Sequence, residues 1–130
     1  MLLFGHRLIS SPLFYHVFDI DMITKTPPSS QIYLEYSEKN LDIIEHLYLN
    51  KIIFALYVSN ITELIYASAL GANYIIVDKK DAKTAQNIAE TYLFDAKILT
   101  HVTNEEEIEE IALLGIDGVI FPEAIVKVNS

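Results

Sequence analysis

The chain alternates short apolar runs with longer stretches in which apolar residues return every three or four positions. Ile52-Ile53-Phe54-Ala55-Leu56-Tyr57-Val58 is short, β-branched and aromatic, which predicts a strand. Asn60-Ile61-Thr62-Glu63 follows. Asn60 can accept a bond from a free backbone N–H and Glu63 can reach back, the pattern of a capping box. The spacing then predicts a helix through Leu64, Ile65, Ala67, Ser68 and Ala69 that Gly71 ends. Tyr74-Ile75-Ile76-Val77 is the next predicted strand. The same succession recurs 44 residues later. Val58, Asn60, Glu63, Leu70, Gly71 and Ile76 return as Val102, Asn104, Glu107, Leu114, Gly115 and Ile120. An internal duplication, or two units solving one mechanical problem, accounts for this.

Further strands are predicted at Phe14 to Phe18, Ile32 to Tyr36, Ile98 to Val102 and Gly118 to Phe121. Helices are predicted at Leu41 to Leu49 and, with Asp81 as cap, Asp81 to Phe94; a short helical turn is predicted near Asp19 to Lys25. Thr26-Pro27-Pro28-Ser29-Ser30 is a stiff connector, since proline cannot continue a helix. Strands separated by helices of this length are the crossovers of parallel pairing. The fold class is therefore α/β in one domain over residues 1–130, with repeated βα units and a mainly parallel sheet. Two architectures fit: an open three-layer sandwich, or half of a (βα)8-like barrel that a second copy completes. A full barrel takes roughly 200 residues or more.

Composition narrows the partners. Apolar residues make up 52% and charged residues 21%, so the chain is globular. A mean hydropathy of +0.29 fits strands buried on both faces and favours a homo-oligomer. The net charge is −9, from 9 basic and 18 acidic residues. Scattered lysines and arginines make no basic stripe, so neither nucleic acid nor an anionic membrane is an expected partner. No apolar run approaches the roughly 20 residues of a membrane span, and no signal-peptide pattern opens the chain. The absence of cysteine rules out disulfides and favours a cytoplasmic location.

Ligands of parallel α/β folds bind at the carboxyl ends of the strands, which selects a short set of candidates. Glu35 in an apolar strand is costly unless paired, so Arg7 or Lys79 is its expected partner. Tyr36, Ser59, Asp78, Lys79 and His101 are the candidate ligand-binding residues, and His6 and Arg7 join them if Leu2 to Phe4 is a strand. His16 is expected at the rim of the core and His46 on a solvated helix face. The glutamates at 105–107, 109 and 110 complement a helix N-terminus and a solvated face, not a metal. Gly-rich phosphate loops, G-x-S-x-G and H-E-x-x-H are all missing.

The segment Ile98 to Pro122, with its Leu-Gly-Ile-Asp-Gly-Val-Ile-Phe-Pro close, resembles the last strand–helix–strand of glycerophosphodiester phosphodiesterases. The resemblance covers about a fifth of the chain. His6-Arg7 after Leu2-Leu3-Phe4, with Glu35 further on, is similar to that family's catalytic His-Arg and its first metal carboxylate. It implies a barrel fold, a divalent metal (Mg or Ca) at Glu35, His6 as acid–base and Arg7 as phosphate clamp. Ser37 stands where the motif has a second carboxylate, and Phe121-Pro122 replace its closing Thr-Asp. Two functions follow: a small non-enzymatic module binding a small anionic ligand or a protein partner, or a metal-dependent phosphoester hydrolase with a reduced site.

Overall fold

The computed structural model of the chain describes residues 1–128. Its strands are β1 (Leu2–Phe4), β2 (Phe14–His16), β3 (Gln31–Glu35), β4 (Phe54–Tyr57), β5 (Tyr74–Val77), β6 (Lys97–His101), β7 (Gly118–Ile120) and β8 (Ile125–Lys127). Its helices are α1 (Ile20–Thr24), α2 (Leu41–Leu49), α3 (Ile61–Ala69), α4 (Lys79–Thr91) and α5 (Glu107–Leu113). The strands form one eight-stranded sheet in the order β1-β7-β6-β5-β4-β3-β2-β8. Every neighbouring pair is parallel. Strands β2 to β7 therefore lie side by side in chain order. The first and last strands take the two edges.

The sheet curls into a half-barrel, the second of the two architectures that fit the sequence. Strand residues alternate between its faces. Ile32, Leu34, Phe54, Leu56, Ile75, Val77, Ile98 and Val119 face outward and pack under Ile44, Leu47, Leu64, Ala85 and Ile111 of the helices. The other set, Phe4, Phe14, Tyr33, Ala55, Ile76, Leu99 and Ile120, forms a second core with Ala124 of the 3-10 turn Pro122–Ala124 and, among the described residues, no α-helix in it. Helices thus cover one face only, where an open three-layer sandwich would have them on both. The concave face covers itself. Phe4 and Phe14, from near opposite edges, meet Tyr74 of the central strand β5 with ring centroids 5.3 and 5.5 Å away, and each other at 5.2 Å. Edge-to-face packing of this kind suits aromatic rings.

The duplication seen in the sequence is structural. Asn60 Oδ1 accepts from the Glu63 N–H at 2.9 Å, and Glu63 Oε1 accepts from the Ser59 N–H at 2.9 Å. In the second unit Glu107 Oε2 accepts from the Thr103 and Asn104 N–H groups at 2.8 and 3.0 Å. There the helix starts only at Glu107, and Asn104 returns no side-chain bond to it. Two further bonds obey the same offset. Asn73 Oδ1 accepts from the Phe54 N–H at 3.0 Å, and Asp117 Oδ2 from the Ile98 N–H at 2.9 Å. Each polar residue before one strand ties down the start of the strand before it.

Candidate functional site

All strands run the same way, so their carboxyl ends gather on one side. There the inward-facing residues change character. The middle of the barrel is apolar, at Phe4, Phe14, Ala55, Ile76, Leu99 and Ile120. One step further along, the same face carries His16, Glu35, Tyr57, His101 and Lys127, above the Tyr33 ring. His16 pairs in register with Tyr33 on one side and Lys127 on the other, and Glu35 pairs with Tyr57.

The rings touch in a chain across the mouth. His16 lies 4.8 Å from Tyr33, Tyr33 lies 6.4 Å from His101, and His101 lies 5.3 Å from Tyr57, all edge-to-face. Phe18 lies over His16 at 4.4 Å, yet 62% of it is exposed. The Tyr57 hydroxyl donates to Asp78 Oδ1 at 2.6 Å. Tyr33 is 6% exposed; among the described residues its hydroxyl and the nitrogens of His16 and His101 have no protein partner and are open to solvent, whereas Gln31 Oε1 is the one buried side-chain atom left unpaired.

Burial sets the protonation of this cluster. It lowers the pKa of His101 against the pull of Asp78. It lowers that of His16 too, helped by Lys127 and opposed by Glu35. Both imidazoles are therefore neutral at pH 7. Tyr57 is pushed up to about 12, first by its bond to Asp78 and then by burial and the nearby carboxylates. Burial raises Tyr33, reinforced by the charges of Glu35 and Asp78. Both carboxylates thus act on the same two phenols.

A second recess, of about 460 Å³, adjoins on the same side of the barrel. It is lined by His6, Arg7, Thr103, Asn104, Glu105 and Glu123, with Phe121 as its apolar wall. His6 Nδ1 accepts from the Leu8 N–H at 3.1 Å, so its Nε2 faces Glu105 at 2.8 Å as the donor. Arg7 holds the same carboxylate at 3.2 Å.

The sequence candidates therefore divide. Glu35, Asp78 and His101 meet at the mouth. His6 and Arg7 are drawn to Glu105 in the neighbouring recess, so neither is the partner expected for Glu35. Lys79 reaches α5, 2.6 Å from Glu110 and 3.8 Å from Glu107. Tyr36 turns to Tyr66 at 6.0 Å, beside α3. Ser59 serves as a backbone donor to Glu63. Sequence reasoning missed Tyr33, Tyr57 and Lys127 as site residues and placed His16 in the core rim. The period of two was the signal: counting from Glu35 in steps of two selects Tyr33, and register extends the set to its neighbours.

Among the described residues, no group of three or more His, Asp or Glu side chains stands close enough to hold a metal ion. The metal implied by the phosphodiesterase resemblance therefore does not fit this residue set. Compared with known protein families the chain matches none, and no curated protein matches it.

Proposed function

We propose that the chain is a binding module whose ligand site is the mouth at the carboxyl ends of β2 to β6. The observation that carries this is the change of the inner face from apolar to polar at that end, with a phenol hydroxyl and two neutral imidazoles that are open to solvent and have no protein partner among the described residues. A polar ligand would exchange their water contacts for its own. The charges favour a ligand that offers donors over the small anion that the sequence brought to mind. Arg7 is held by Glu105, and Lys79 by Glu107 and Glu110. A second copy is not needed to cover the concave face, because Phe4, Phe14 and Tyr74 close it within one chain. A homo-oligomer would form instead through exposed residues such as Leu8, Ile9 and Leu13.

The hydrolase reading keeps one supporting observation, that His6 and Arg7 line a recess at the strand ends. It needs Glu35 at the same substrate, and Glu35 belongs to the other group. A thermal-shift series with glycerol, butylammonium, phosphate and glycerol 3-phosphate tests the module reading, repeated on Glu35→Ala and Tyr57→Phe. Native-state binding raises the melting temperature by mass action. At least one probe should stabilise the wild type and lose its effect in both variants. Hydrolysis of bis(p-nitrophenyl) phosphate with Mg²⁺ or Ca²⁺, abolished by His6→Ala, would instead establish the hydrolase.

A further inference from the structure

We infer that the mouth takes a small organic cation, an ammonium group seated over the ring chain Phe18–His16–Tyr33–His101–Tyr57 and facing Glu35 and Asp78. The inference rests on the mouth being a ligand site and names the ligand's chemistry.

Three independent features converge. The first is the rings themselves. Four successive ring contacts, with centroids 4.4 to 6.4 Å apart, link rings from four strands, β2, β3, β6 and β4, and from the chain segment after β2. Ring faces carry partial negative charge and attract cations, most strongly where water is excluded. Phe18, 62% exposed over His16, leaves part of its ring open to a ligand.

The second is charge. Glu35 is exposed, and Asp78 is half-buried with one oxygen engaged by Tyr57. The imidazoles between them are neutral and do not repel a cation. Lys127 is exposed at the β2–β8 edge, the register partner of His16. It leaves the Tyr57–Asp78 end, on β4 and just past β5, dominated by carboxylate. The third is Tyr33, 6% exposed, whose hydroxyl is open to solvent and has no protein partner among the described residues. An ammonium N–H would replace water as its donor. A tetraalkylammonium would use the ring faces and the carboxylate field alone.

An anion meets the opposite conditions, two carboxylates and ring faces of the wrong polarity. A neutral polyol finds acceptors but forfeits the charge and cation–π contributions.

NMR on the imidazole C–H signals of His16 and His101 tests the inference, with assignments from His16→Gln and His101→Gln. The probes are tetramethylammonium, butylammonium, its neutral counterpart 1-butanol, glycerol and inorganic phosphate. Both ammonium ions should shift the two histidines saturably. 1-Butanol should bind about tenfold more weakly than butylammonium, and Phe18→Ala or Glu35→Gln should each weaken butylammonium several-fold. Phe18 and Glu35 are exposed, so neither change should unfold the chain. If glycerol or phosphate shifts the histidines and the ammonium ions do not, the cation assignment is overturned and the binding module stands. Equal binding of butylammonium and 1-butanol also overturns the assignment. If no probe moves either signal, the assignment and the module reading both fall.

Discussion

At the scale of single residues, the two mouth histidines couple folding to pH. Burial holds the pKa of His101 below its ordinary value, against Asp78, and that of His16 likewise, against Glu35. A folded-state pKa below the unfolded one means that the unfolded chain binds protons first as pH falls. The stability from these groups is complete above the unfolded histidine value, about 6.5. It is lost as pH drops from there toward the lower folded-state values. Melting temperature should therefore fall between pH 7.5 and 5.5, and His101→Gln should flatten that slope by about 1.4 kcal/mol for each unit of depression it removes. A slope unchanged in His101→Gln, measured by calorimetry, would show that the imidazole is solvated in the folded state. The sequence showed part of this. It marked Glu35 as out of place in an apolar strand and His101 as a strand-end residue. The period of two from Glu35 marks Tyr33, but nothing local showed that Tyr57 belongs with them, because its place beside Glu35 depends on the register between strands.

The elements were largely legible because their signals are local. The α2 bounds, β5 and the Asn60 cap follow from residues within one turn of each end. The start of α4 did not, since Asp78 and Asp81 are both good caps. The helix begins at Lys79, and the Asp81 N–H bonds the Asp78 carbonyl at 2.9 Å inside the first turn. Strand β8 was invisible because three residues after a proline turn carry no periodicity. It exists through its pairing with β2. The seating of β1 on β7 depends on a residue the apolar pattern passes over. A Cβ added at Gly118 would stand 2.7 Å from both Leu2 Cβ and the Leu2 carbonyl oxygen, and 2.8 Å from Leu99 Cδ2. Two of these neighbours are fixed by backbone. Gly118→Ala should therefore destabilise the protein by about 1–3 kcal/mol through overpacking. Amide exchange should show the loss first in Phe121, because its N–H bonds the Phe4 carbonyl at 2.9 Å. Protection lost uniformly along the chain would mean that β1 and the rest of the sheet unfold as one unit.

The curl of the whole molecule was the least legible feature, for a physical reason. Apolar strands on both faces describe a sheet covered by two layers of helices as well as one that covers its own concave side. The difference lies in contacts between residues far apart in the chain. Phe14 makes the decisive one. It is fully buried, and its ring meets Phe4, which reaches it from the other end of the sheet, and Tyr74 at the centre. Removing it takes away the ring that joins both ends of the sheet to the middle. Phe14→Ala should cost about 3–5 kcal/mol, the range for deleting a large buried aromatic. If the curl depends on this contact, the loss should be more than a simple cavity. The mouth rings hang on the same strand, with His16 two residues beyond Phe14, so the His16 and His101 imidazole signals should shift in the variant even under conditions where it stays folded. Urea unfolding supplies the first number and NMR the second. A full stability loss with unmoved histidine signals would show that the mouth is held by the outer core under the helices, and that the inner aromatic cluster only fills space.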